Sequence, residues 1–250
     1  MDGGNLKNMG TTDYFTLLKK AEKGDCDSQF DVGHYYYRLR EFKKAYSWWL
    51  KCSKHKKRLG PIFNIGNLYY NGWGLKQNIK KALHYFNLVV KKAPILYPKE
   101  NVIYTQLALF LIGKTYFDGT FVKRNKKKGL YHYERAAKVG NINAAYTLSH
   151  IYGVKEDYNL KKKIFYIKQC AKAGLSIAHA ELANLALAEN NDKLFLMHFK
   201  EAMKDDKKLI NTLELTTIAR DTLNQSLSEY RKNLKRIWKK LGKNLVPKAV

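Results

Sequence analysis

Small residues stand at Gly33, Gly66, Gly113, Ser149 and Ala183, each directly after an aliphatic one: Val32, Ile65, Ile112, Leu148 and Leu182. Three positions earlier come Phe30, Phe63, Phe110, Tyr146 and Ala180, and three positions later Tyr36, Tyr69, Tyr116, Tyr152 and Ala186. A second set follows in each copy: Ala45 with Trp48-Trp49, Ala82 with Tyr85-Phe86, Gly129 with His132-Tyr133, Lys163 with Tyr166-Ile167, and Phe195 with His198-Phe199. Offsets of three, four and seven put each set on one face of a helix. Every copy therefore reads as two helices, A and B. The small residue on A lets B approach closely, and the rings fill the space around the contact. Gly140 and Gly174 follow Lys138-Val139 and Lys172-Ala173, where a left-handed residue ends a helix.

Successive copies lie 33, 47, 36 and 34 residues apart. A helix pair of this length cannot bury its apolar face alone and must stack on its neighbours, so the fold class is all-α, a right-handed α-solenoid of about five helix-pair repeats. Residues 1–12 read as a flexible N-terminus, 13–206 as the solenoid and 207–250 as a C-terminal basic helical cap. The spacing of 47 reflects an insertion near 93–101, where Pro94 and Pro98 end one helix and delay the next. In the cap, Leu227, Tyr230, Leu234, Ile237, Trp238 and Leu241 recur at helical spacing among lysines and arginines. This segment covers the last repeat or, in a sharper reading, binds a partner or a membrane surface.

Several runs carry the resemblance of this chain to a known family. They are Ile65-Gly66-Asn67-Leu68-Tyr69 with Gly72-Trp73-Gly74, and Ile112-Gly113 and Tyr116 with Asp118-Gly119. Lys80-Lys81-Ala82 before Tyr85-Phe86, and Arg135-Ala136-Ala137-Lys138-Val139-Gly140, complete the pattern. It resembles the Sel1-like repeat, a relative of the tetratricopeptide repeat, over about Ala21 to Asp206. The first copy has a short A–B loop (Arg38 to Glu41) without the Gly-x-Gly turn, and the fifth has nearly lost its aromatics. The resemblance implies a protein-interaction scaffold; adaptors and toxin-neutralising immunity proteins are among the roles it brings. The motif residues themselves are packing residues.

Charge adds most to this picture. The chain has 47 Lys+Arg against 21 Asp+Glu, a formal net charge of +26 in 250 residues. Such a balance favours an acidic protein partner, nucleic acid or, less so, an anionic membrane surface. Lys43-Lys44, Lys80-Lys81, Lys127-Lys128 and Lys162-Lys163 recur at the start of helix B and are expected to form a basic ridge, with further clusters at Lys51 to Arg58 and Lys123 to Lys126. Tyr35, Tyr37, Tyr70 and Trp73 fall outside the repeat packing positions, and are expected to contact a partner on a concave face beside that ridge.

Catalytic chemistry finds no foothold. Gly113-Lys114-Thr115 resembles the end of a phosphate loop, yet the first glycine would be Ala108 and the run lies inside helix A. The seven histidines include no H-E-x-x-H pair, and no cofactor or metal site is expected. Cys26, Cys52 and Cys170 are too few for a disulfide framework; with a polar N-terminus and no secretory signal, they point to a cytoplasmic protein, and a monomer is expected.

Overall fold

A computed structural model describes residues 11–54, 58–93 and 100–189, and a few positions beyond (191, 193–195, 197, 198, 201, 202 and 232). Ten α-helices lie in these residues: α1 (Thr11–Glu22), α2 (Cys26–Arg38), α3 (Phe42–Ser53), α4 (Gly60–Asn71), α5 (Ile79–Lys92), α6 (Glu100–Asp118), α7 (Lys126–Lys138), α8 (Ile142–Ile151), α9 (Leu160–Lys172) and α10 (Ser176–Ala188). No strand occurs among them. The predicted cap at 207–250 lies outside the described residues apart from Lys232, as do Met1–Gly10 and Pro94–Lys99 of the insertion. The chain divides after Leu148 into two compact units, which are described separately.

In the first unit α2 pairs with α3, α4 with α5, and α6 with α7, while α1, α3 and α5 each pack on the helix that follows. This is the alternation of an α-solenoid. Helix α1 carries none of the repeat signature. It joins the stack through Tyr14, whose hydroxyl lies 3.0 Å from that of Tyr36 and whose ring lies 4.6 Å from Tyr35. The insertion is partly absorbed by α6, whose 19 residues make it the longest described helix.

The contact between A and B has one form in three consecutive pairs. A β-carbon added at Gly33 would fall 2.3 Å from the Trp49 ring, at Gly66 2.8 Å from Phe86, and at Gly113 2.8 Å from Tyr133. Bare glycine backbone is thus the seat for a ring eight residues into the B segment. Trp49 and Phe86 are fully buried there, and the Trp49 indole N–H donates to the Phe30 carbonyl at 3.2 Å. The rings interlock as one core from α4 to α6, where Leu59, Ile62, Phe63, Phe86 and Ile112 cluster.

The cysteine reading is corrected. Cys26 opens α2 and Cys52 lies in the last turn of α3, and the two form a disulfide with Cα atoms 4.8 Å apart. Both helices bring their free ends together at this corner, which the sparse, odd count concealed. Cys170 is a buried thiol outside this bridge, pushed up to about 11 by burial and by Glu181. No described helix is long and apolar enough to cross a membrane.

Two histidines, His34 half-buried and His132 buried, set an acid limit on this fold. His34 lies against Phe30 and Trp49, and His132 lies parallel to Tyr116 with a buried Nδ1 that has no hydrogen-bond partner among the described residues. Burial, reinforced by nearby arginines, holds each at about 4. The unfolded chain takes up these protons near pH 6.5, so stability is complete above that value and falls as pH drops toward 4. Urea midpoints are expected to decline steadily from pH 6.5 to 4 and stay flat from 6.5 to 8. His132→Gln is expected to flatten the acid limb by an amount on the order of 2–3 kcal/mol near pH 4.

Candidate interaction edge

Helix B begins in the same way in every well-formed repeat. Asn78, Asn125 and Asn159 cap α5, α7 and α9, each side chain accepting from the backbone N–H three residues on, at 2.9, 2.9 and 3.0 Å. The backbone N–H of each asparagine donates to the carbonyl of the repeat tyrosine, Tyr69, Tyr116 or Tyr152, at 2.8–2.9 Å. The cap therefore fastens the start of B to the end of A. In the shortened first loop Glu41 takes the capping position without a side-chain bond, yet its N–H still reaches the Tyr36 carbonyl at 2.9 Å. Arg40, at φ 59°, supplies the left-handed turn that glycine supplies elsewhere.

The residue three after the capping position is a lysine each time, and its ammonium lies over that same tyrosine ring. Lys44 sits 5.1 Å above Tyr36, Lys81 5.2 Å above Tyr69, Lys128 3.9 Å above Tyr116 and Lys162 4.6 Å above Tyr152. Behind the tyrosine a second ring, one turn further along helix B, lies parallel: Tyr85 behind Tyr69 at 5.9 Å, His132 behind Tyr116 at 6.5 Å, Tyr166 behind Tyr152 at 6.0 Å. Cation–ring attraction of roughly 0.5–1 kcal/mol at an exposed site offsets the cost of a positive charge at a helix N-terminus. A lysine there is thus part of the fold.

This register corrects the expected ridge. Counted from its cap, the fourth pair equivalent to Lys43-Lys44, Lys80-Lys81 and Lys127-Lys128 is Lys161-Lys162, not Lys162-Lys163. Lys163 faces Glu181 at 3.7 Å in the second unit. The first lysine of each aligned pair is exposed. In the first unit these are Lys43, Lys80 and Lys127, and they share one edge with the A–B turns. The second turn rests on the start of α3, where a β-carbon on Gly74 would meet Phe42 at 2.5 Å. Val122 of the third turn packs in the cluster that includes Ile79 and Leu83 at the start of α5.

The four aromatics expected at a partner surface are dispersed. Tyr37 and Trp73 meet at 5.9 Å, and Trp73 stacks on Phe42 at 5.7 Å, in a cluster at the turn edge. Tyr35 instead packs on Tyr14, and Tyr70 lies 6.1 Å from Phe86 against the α4–α6 core. Lys56 and Lys57 lie outside the described residues, while Arg58 pairs with Asp27 at 2.7 Å. The repeated Asn-x-x-Lys of 78–81, 125–128 and 159–162 was the signal that could have located the caps and, through them, the lysine register. Among the described residues no three His, Cys, Asp or Glu side chains gather as metal ligands.

Helix pairs keyed by glycine–ring contacts and edged by cation–tyrosine stacks define a helix-pair repeat protein of the α-solenoid class. The Sel1 repeat matches residues 62–88 and 106–141, which are the second and third of these pairs. The chain thus carries Sel1 repeats in these two pairs, within an α-solenoid. Among solved structures, a protective antigen of uropathogenic Escherichia coli strains with an SLR fold matches at TM-score 0.59 and 21% identity, over 80% of this chain and 43% of its own. A Sel1 repeat protein from Oxalobacter formigenes matches at TM-score 0.52 and 22% identity, over 79% and 74%. An immunity protein from Pseudomonas aeruginosa aligns at 17% identity, over 82% and 87%, with a TM-score of 0.33, too low to carry an argument. The first two likenesses establish the fold alone, and the chain spans less than half the length of the first. No curated protein matches the chain in sequence.

Proposed function

We propose that this protein is a non-enzymatic, monomeric interaction scaffold that holds an acidic protein partner. The observation that carries the reading is the row of exposed lysines Lys43, Lys80 and Lys127, set on one edge by the caps and cation–tyrosine stacks of three successive repeats. Tyr37 and Trp73 offer ring surface beside it, and long-range attraction toward a net charge of +26 speeds encounter with an acidic surface. Neutralisation of a toxin and regulatory adaptation are two forms of this reading. A persisting Cys26–Cys52 bond belongs to oxidising compartments, so the cytoplasmic expectation loses the cysteine argument on which it partly stood.

The test is capture from native lysate on the immobilised full chain, with and without nuclease, followed by a salt gradient. The expected result is one nuclease-resistant acidic protein retained above about 0.3 M salt, whose affinity for the purified chain drops at least about tenfold in Lys43→Glu/Lys80→Glu/Lys127→Glu. Recovery of nucleic acid alone, released together with its bound proteins below about 0.2–0.3 M salt, would replace the scaffold reading with sequence-nonspecific polyanion binding.

A further inference from the structure

The turn edge of the first unit is more than a row of charges. Each of its three A–B turns exposes one large apolar side chain: Leu39 at 52%, Trp73 at 38% and Phe121 at 68% of their full surface. A basic residue stands next to or near each tip, Arg40 beside Leu39, Lys76 after Trp73 and Lys123 after Phe121, and all three are exposed. The two carboxylates nearest this edge are both taken, Glu41 by Lys44 and Asp118 by Lys114 at 2.8 Å. Phe121 even holds φ 64°, an unfavourable backbone for a non-glycine residue, at the most exposed of the three tips.

We infer that this edge docks on an anionic phospholipid bilayer, with Leu39, Trp73 and Phe121 entering the headgroup boundary while Lys43, Lys80 and Lys127 meet lipid phosphates. The inference goes beyond the scaffold reading: it names a second ligand for the same lysines, so that bilayer and acidic protein exclude each other at this edge, and the vesicle assay, run without any protein partner, succeeds or fails independently of that reading. Apolar tips ringed by lysine are the composition of an interfacial contact, where rings and alkyl chains bury shallowly and ammonium groups stay in water. A soluble polyanion would be served by the lysines and gains nothing from Leu39 or Phe121. Lysine in place of arginine also fits, because lipid phosphates ask for point charge and not for a planar fork.

The full chain is to be co-sedimented with vesicles of phosphatidylcholine alone and of phosphatidylcholine with 30% phosphatidylglycerol, a content on the order of an anionic leaflet. The proposal expects binding to the anionic vesicles only. Leu39→Asp/Phe121→Asp is expected to weaken it about tenfold or more, with an unchanged thermal transition, since both side chains are exposed. Lys43→Gln/Lys80→Gln/Lys127→Gln is expected to weaken it about a hundredfold, near fivefold for each lysine. A blue shift of tryptophan emission on binding, reduced in Trp73→Phe, is the fourth expected sign. Equal binding of wild type and Leu39→Asp/Phe121→Asp would overturn the proposal and leave plain polycation adsorption. So would binding that survives both sets of changes, which would move the contact to the basic C-terminal segment, and so would failure to bind anionic vesicles at all.

Discussion

Reduction of the Cys26–Cys52 disulfide is expected to lower the stability of the first unit by about 3 kcal/mol, the loop-closure value for a bridge of this span. The two cysteines are 26 residues apart, and the loop between them holds the whole first helix pair. With the bond broken, that pair keeps its glycine–ring contact but regains unfolded-chain freedom. A shift of this size moves the melting transition by about 10 °C in a domain of 150–250 residues. Calorimetric scans with and without reductant measure it, with Cys26→Ser/Cys52→Ser as the reductant-independent check. Superimposable scans would show that the bridge adds nothing and would return the cysteines to the role of small core residues.

The second large effect is expected at Gly66. A valine there would drive carbon into the Phe86 ring and the Tyr85 β-carbon, which lie 2.8 and 3.1 Å from the place its β-carbon must occupy. Overpacking of this kind costs about 1–3 kcal/mol and sometimes more. Phe86 is fully buried and has no solvent side to move into. Gly66→Val should therefore sit at the top of that range by urea denaturation. Because the cost is a clash with one named ring, Gly66→Ala/Phe86→Leu should be more stable than the sum of its single changes predicts. Strict additivity would mean that the glycine serves backbone geometry, and that closeness to helix B is incidental.

How much of this was legible in the sequence follows from what periodicity encodes. The glycine on helix A and the ring on helix B recur because one is the seat of the other, so Gly33, Gly66 and Gly113 disclosed both helices, their pairing and the solenoid. The lysine pairs were visible as well. Their register was not, because in the fourth repeat three lysines run from 161 to 163 and only the asparagine cap decides which one lies over the tyrosine. The disulfide was hidden for a different reason. It joins the outer ends of a single pair and has no counterpart in the other described repeats, and a repeat pattern is blind to a contact that does not recur. The exposed tips Leu39 and Phe121 stand where loop sequence varies most, so only their exposure in the structure singled them out.

The cation–tyrosine stack divides the lysines of the edge into two kinds with different freedom to change. Lysine and tyrosine come from one repeat in each stack, as does the ring behind the tyrosine in the later three, while the hydroxyls of Tyr36 and Tyr69 reach back to Tyr14 and Tyr46 of the preceding helices. Lys44, Lys81 and Lys128 are tied to the stack. Lys43, Lys80 and Lys127, one residue earlier, touch no part of it. A lineage of such chains can therefore rewrite the charge of its edge one repeat at a time, at those three positions, and exchange one ligand for another while every helix pair stays folded as before.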